Sequence, residues 1–183
     1  MDTSLRRRLE ARLGEHLVAP VAGRGDETEI RIAAGSVAAV LSTLHDDPDL
    51  RFRVLADLAG VDTGAHFQVV YHLWSDGSPD WLRVIVEPLA RDDPRAPSAT
   101  FLWKGAEWME REAYDMFGIV FEGNRDLRRI YMPPDYTSFP LRKDFHLPDD
   151  ASRSPAAGVR HMERPHAPAD ATVAARTRRS VGS

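Results

Sequence analysis

Two runs in which large apolar residues recur at every second position, Phe67-Val69-Tyr71-Leu73 and Leu82-Val84-Val86, flank the turn-forming Ser75-Asp76-Gly77-Ser78-Pro79. A period of two puts alternate side chains on one face of an extended strand, so each run has an apolar face to bury. The intervening Asp, Gly, Ser and Pro favour a reversal, and the two strands are expected to pair antiparallel. A sheet with one apolar face needs a second layer against it, which narrows the folds open to the chain.

Helical spacing supplies that layer. Leu5, Leu9 and Leu13 recur every four residues between Thr3 and Leu13, along one side of a short helix. Ser36 is placed to cap a helix whose Val37, Val40, Leu41 and Leu44 form a second stripe, ending near Asp47-Pro48. Phe52, Leu55 and Leu58, three apart, read as a further helical face up to Gly60. Alternation through Leu17 to Val21 and through Thr28, Ile30 and Ile32 flanks Gly23-Arg24-Gly25-Asp26 and reads as a hairpin. The order ββααββ predicts an α+β two-layer domain, with a mostly antiparallel sheet and helices on one face. The expected organisation is an N-terminal helix at 1–13, the α+β domain at 14–120, an extended docking segment at 121–150 and a disordered tail at 151–183.

Several function classes are disfavoured at once. With 183 residues, 43% of them hydrophobic, the chain can bury one sizeable core. A net charge of -4 argues against a dedicated nucleic-acid binder, which needs a clustered cationic surface; Arg128-Arg129 and Arg142-Lys143 are interrupted by Asp126 and Asp144. The absence of cysteine removes disulfides, thiolate zinc sites, Cys-ligated iron-sulfur clusters and thiol nucleophiles. No apolar run approaches the roughly 18 residues of a membrane-spanning helix, and Arg6-Arg7-Arg8 precede a polar amphipathic stretch, not a signal-peptide core. From Ala151 onward six arginines oppose Glu163 and Asp170, so this stretch carries +4 and the rest -8; poor in large apolar residues, it is expected to be mobile.

Chemistry-bearing patterns are sparse. Gly60-Val61-Asp62-Thr63-Gly64 has neither the Rossmann spacing nor the Lys-Ser/Thr ending of a phosphate loop. His161, Glu163 and His166 lie in the expected tail without oriented partners, and no metal site is expected. His66 and His72 share a strand face with Gln68, Val70 and Trp74 and read as structural or surface histidines. The serines show no nucleophile-elbow pattern. A free-standing enzyme would have to rely on carboxylates near Asp57, Asp62 and Glu112.

Two consecutive segments say more. Between Glu107 and Gly118, helical spacing turns Met109, Ala113, Met116 and Phe117 to the core. Glu107, Arg111 and Asp115 line another face as exposed ion pairs, and Gly118 stops the helix. Pro133 to Leu147 has three prolines and no periodicity, yet holds Tyr136, Phe139, Leu141 and Phe145. Ordering such a segment costs about 1 kcal/mol or more per residue, against about 1.5 to 3 for each large side chain buried. It therefore orders only against an existing surface, where Arg142, Lys143 and Asp144 can make charge-assisted bonds.

The residues from Glu110 to Ile119 (Glu-Arg-Glu-Ala-Tyr-Asp-Met-Phe-Gly-Ile), then Asp126-Leu127-Arg128-Arg129-Ile130, then Pro140-Leu141-Arg142-Lys143-Asp144-Phe145 closely resemble the C-type subunit of proton-pumping NADH:quinone oxidoreductase, bacterial respiratory complex I. Leu55 to Asp62 looks like the same family, so the resemblance spans roughly 34–147. The chain departs from it at Asn124-Arg125, where the family has His-Pro, and at Ser138-Phe139, where it has Gly-His.

The resemblance implies a hydrophilic, non-catalytic subunit of the peripheral arm on the cytoplasmic side of the cell membrane. Its neighbours there would be the large D-type subunit of the quinone site and the B-type subunit that holds the terminal cluster. FMN, iron-sulfur clusters, NADH and quinone would belong to the complex and none to this chain. Related membrane hydrogenases and deazaflavin-dependent dehydrogenases use similar subunits. The residues expected at partner contacts are Glu110, Arg111, Glu112, Tyr114, Asp115, Arg128, Arg129, Phe139, Pro140, Leu141, Arg142, Lys143, Asp144 and Phe145, with the four basic residues Arg128, Arg129, Arg142 and Lys143 in intersubunit ion pairs.

Overall fold

A computed structural model describes residues 3–24 and 27–146. The chain forms α1 (Thr3–Leu13), β1 (Ala22–Arg24), β2 (Glu27–Ile32), α2 (Val37–Asp46), β3 (Val54–Asp62), β4 (Phe67–Trp74), β5 (Trp81–Leu89), β6 (Arg95–Pro97), α3 (Ala106–Phe117) and β7 (Val120–Glu122). Short 3-10 turns at Gly14–His16 and Ala34–Ser36 follow α1 and precede α2. The expectations for the tail, including His161, Glu163 and His166, lie outside the described residues.

β4 and β5 pair antiparallel as their alternation requires, with Tyr71 opposite Val84 and Leu73 opposite Leu82. The main sheet runs β1-β2-β5-β4-β3, antiparallel throughout except for the parallel β2–β5 pair. That exception follows from α2, which carries the chain back across the sheet before β3. Leu5, Leu9 and Leu13 of α1 and Val37, Val40, Leu41 and Leu44 of α2 are buried in one core with Ile30, Ile32, Val69, Tyr71 and Val84. Ser36 lies just before α2 as expected, but its hydroxyl makes no capping bond.

Two expectations need correction. Of the third helical face, Leu55 and Leu58 lie in strand β3 and Phe52 just before it, so the order is ββαβββ. Leu55 opposes Leu73 and Leu58 opposes Tyr71, while a bulge between Leu55 and Asp57 inserts one extra residue. A two-residue period with one residue inserted gives a spacing of three, which imitates a helix. The N-terminal hairpin forms from Ala22–Arg24, not Leu17 to Val21; Leu17 makes only a single bridge to Ile32.

The opposite face of the sheet is polar and internally paired. Arg31 bridges Glu29 and Glu87 at 2.9 and 2.5 Å, His72 lies 3.1 Å from Glu27 and His66 lies 3.4 Å from Glu87. Both histidines are thus accounted for as surface partners of carboxylates. Among the described residues, no helix is long and apolar enough to cross a membrane, and no group of three or more His, Cys, Asp or Glu is placed to hold a metal ion.

Candidate functional site

Helix α3 buries Ala106, Ala113 and Met116, with Met109 and Phe117 packed against the core. It ends at Gly118, whose φ of 75° is left-handed and whose N–H returns to the Tyr114 carbonyl at 2.8 Å. The ladder expected to be exposed is not: Arg111 is 3% exposed and Asp115 is fully buried. Residues 124–146 form an irregular strap laid over that side of the helix, and three carboxylates pin the strap down.

Asp115 holds its middle. One carboxylate oxygen accepts the backbone N–H groups of Ile130, Tyr131 and Met132 at 3.0, 2.7 and 2.9 Å, and the other accepts Arg129 at 2.6 Å. Arg129 continues to the Ser138 carbonyl at 3.1 Å and stacks its guanidinium over Tyr136 and Phe139. Burial pushes the Asp115 carboxyl up, but these donors together outweigh it and hold it below the usual carboxylate range.

Asp62, at the end of β3, holds the far end. It accepts Arg91 at 2.6 Å, the Gly64 N–H at 2.7 Å and the Lys143 N–H at 2.8 Å. Burial opposes ionisation here too, yet the three donors bring its pKa down to about 2. Arg91 reaches on to Asp144 at 3.0 Å. Arg142 donates to the Phe117 carbonyl at 2.7 Å, at the C-terminal end of α3, and lies between the rings of Phe67 and Phe139 at 4.8 and 4.6 Å.

Glu110 holds the near end. It accepts the Ala99 N–H at 2.6 Å, the Ser98 hydroxyl at 2.9 Å and the Asn124 amide at 2.8 Å. Burial dominates over these neutral donors, so its pKa is raised. Asn124 thus ties the strap to the buried carboxylate. The sequence offers a signal for this anchor, because Glu110 sits within the apolar stripe of Ala106, Ala113 and Phe117. Asp62 stands out in the sequence only as a carboxylate closing the stretch from Leu55, and nothing local ties it to Arg91 or Lys143, which are distant in the chain.

The residues expected at partner contacts divide accordingly. Glu110, Arg111, Asp115, Arg129 and Arg142 use their charge within the chain; Arg111 donates to the Arg128 carbonyl at 3.2 Å and stacks on Trp108 at 4.5 Å. Tyr114, Phe139, Pro140 and Phe145 are half-buried, with the Tyr114 and Phe139 rings 6.4 Å apart. Glu112, Arg128, Leu141, Lys143 and Asp144 face solvent, although Arg128 is paired with Asp126 at 2.8 Å and Asp144 with Arg91 at 3.0 Å. The surface against which Pro133 to Leu147 is expected to order is, as far as His146, the chain's own α3 and the ends of β3 and β4. The strap leaves Tyr131 62% and Leu141 55% exposed, and α3 beside it leaves Trp108 60% exposed.

Fold and site together define a class: an α+β domain whose third helix carries an irregular strap pinned by buried carboxylates and studded with exposed aromatic and aliphatic side chains. The family model for the 30 kDa subunit of respiratory-chain NADH dehydrogenase matches residues 30–151, and this chain belongs to that family. The C-type subunit of the NADH-quinone oxidoreductase of Burkholderia multivorans is 41% identical over 151 residues, 78% of this chain and 75% of that protein. Among solved structures, a trypsin-resistant fragment (1-134) of Nqo5 is 33% identical with a TM-score of 0.53, covering 67% of this chain and 98% of the fragment. A membrane-bound sulfane sulfur reductase chain, 24% identical with a TM-score of 0.65 over 79% of this chain and 86% of its own, shares the fold.

Proposed function

We infer that this chain is a non-catalytic hydrophilic subunit of the peripheral arm of an NADH:quinone oxidoreductase, held at the cytoplasmic side of the cell membrane through its complex. Its role is to support assembly of the quinone-reducing module, beside the large D-type subunit of the quinone site and the B-type subunit of the terminal cluster. Electrons would pass from NADH through FMN and iron-sulfur centres in other subunits to quinone, coupled to proton translocation. The observation that carries this reading is the strap. Its charged anchors are satisfied internally, while Tyr131 and Leu141, with Trp108 of α3 and an Arg128 that also pairs with Asp126, are presented outward on a backbone that is already ordered. Trp, Tyr and Arg are the side chains that most often dominate interfaces, and pre-ordering lowers the entropy lost on docking.

The test is Trp108→Ala combined with Tyr131→Ala. Tyr131 is mostly exposed and its loss should stay within about 0.5 kcal/mol, while Trp108 also gives up its stacking on Arg111, so its replacement should cost the isolated chain about 1 kcal/mol. Recovery of the chain with its complex should fall by at least about tenfold, as expected for loss of interface anchors. Undiminished recovery and undiminished NADH:quinone reductase activity in membranes would overturn the assignment of this surface.

A further inference from the structure

β3 is an outermost strand, and among the described residues no strand pairs with its free side. Thr63 donates to the His66 carbonyl at the turn into β4, so alternate residues back along β3 point their backbone groups toward β4. Val61, Ala59 and Asp57 do so; Gly60, between them, turns its N–H and C=O outward. Next outward in the strand is Leu58, whose N–H is held at 2.9 Å by the side chain of Asp57. Alongside this edge runs a groove of about 260 Å³ lined by Gly60, Ala113, Met116 and Leu141, with the carboxylates of Asp57 and Glu112. Glu112 has no hydrogen bond or ion pair among the described residues, and Asp57 bonds only to its neighbour's N–H.

An unpaired backbone edge beside an apolar floor and two carboxylates matches one kind of occupant: an added strand that alternates apolar and cationic side chains. We propose that an extended segment of a partner protein in the complex seats here as a further strand on β3, placing an apolar side chain on Met116 and Leu141 and an arginine or lysine at Glu112 and Asp57. Charge complementarity selects a basic segment, and Leu141 makes the groove continuous with the outward surface of the strap. A second copy of this chain is disfavoured as occupant, because the bulge before Asp57 and the charge on Asp57 and Glu112 guard the edge against self-pairing. The proposal rests on the reading of the chain as part of an NADH:quinone oxidoreductase and names a second surface for it.

Hydrogen exchange on the isolated chain and on the purified complex tests this directly. The Gly60 amide should exchange freely in the isolated chain and slow by more than about tenfold in the complex. Glu112→Lys, at an exposed helical position, should leave the unfolding midpoint of the isolated chain unchanged and lower its recovery with the complex by at least about tenfold. The proposal is overturned if the Gly60 amide exchanges equally fast in both states, or if the Glu112→Lys chain is incorporated normally. If the unaltered chain fails to co-purify with any part of an NADH:quinone oxidoreductase, the proposed function itself falls and the strand proposal with it.

Discussion

Asp62, Asp115 and Glu110 are carboxylates removed from water, and what each is offered in place of water decides how it responds to acid. Asp62 and Asp115 each meet a guanidinium together with backbone N–H groups, whereas Glu110 meets only neutral donors. The first two therefore bind protons less readily folded than unfolded, and Glu110 more readily. For Asp62 the folded pKa of about 2 lies below the ordinary 3.8, so the unfolded chain holds more protons between those values. The stability it contributes is complete above about pH 4 and is lost as pH falls toward 2, a change of about 2 kcal/mol. Glu110 has the opposite sign: its contribution is present below its ordinary value and is lost as pH rises through its raised folded value. Asp62→Asn should therefore lower stability at neutral pH and flatten its decline between pH 4 and 2. Urea unfolding midpoints measured across that range check both parts; an unchanged acid limb would show that Asp62 is not a principal acid-sensitive anchor.

At the scale of elements, Gly118 is where helix α3 and the strap meet. Its φ of 75° is strained for any side chain, and an added Cβ would lie 2.7 Å from both the Phe139 ring and the Arg142 guanidinium. Gly118→Ala should destabilise the chain by about 2 kcal/mol or more and loosen the strap before the core. Trypsin cleavage at Arg142 or Lys143 should then accelerate ahead of global unfolding, and a strap as resistant as in the unaltered chain would contradict this. How much of this arrangement is legible in the sequence depends on whether the governing contact is local. β4 and β5 announce themselves because Phe67–Leu73 and Leu82–Val86 repeat every two residues, the irregularity of their pairing falling beyond Val86, and Gly118 because a left-handed stop has a local cause. β3 reads as a helix because one bulge residue turns a spacing of two into three. Arg111 and Asp115 read as exposed because charges four apart on a helix normally face water; the strap that covers them has no periodicity to reveal where it goes. The motif blocks beginning at Glu110, Asp126 and Pro140 do mark the pieces that meet, but Asp62 and Arg91 join them only through the fold.

For the molecule as a whole, charge has two separable tasks, fastening the strap and facing outward, and neighbouring residues illustrate the division. Side by side in the sequence, Arg142 and Lys143 read as a single basic contact for a partner. Arg142 closes the C-terminal end of α3 through the Phe117 carbonyl and lies between two aromatic rings, while the Lys143 side chain is exposed and only its backbone N–H reaches Asp62. Replacing both at once would therefore mix a folding defect with a docking defect. Taken singly, Arg142→Ala should cost the isolated chain about 1 to 3 kcal/mol, the worth of a charged hydrogen bond plus stacking. Lys143→Ala keeps the backbone bond and should stay within about 0.5 kcal/mol. If the Lys143 side chain meets a partner, its loss will appear only as reduced recovery with the complex, at unchanged stability. Denaturant unfolding of each isolated variant beside its recovery in the complex separates the tasks, and equal destabilisation by the two substitutions would refute the division.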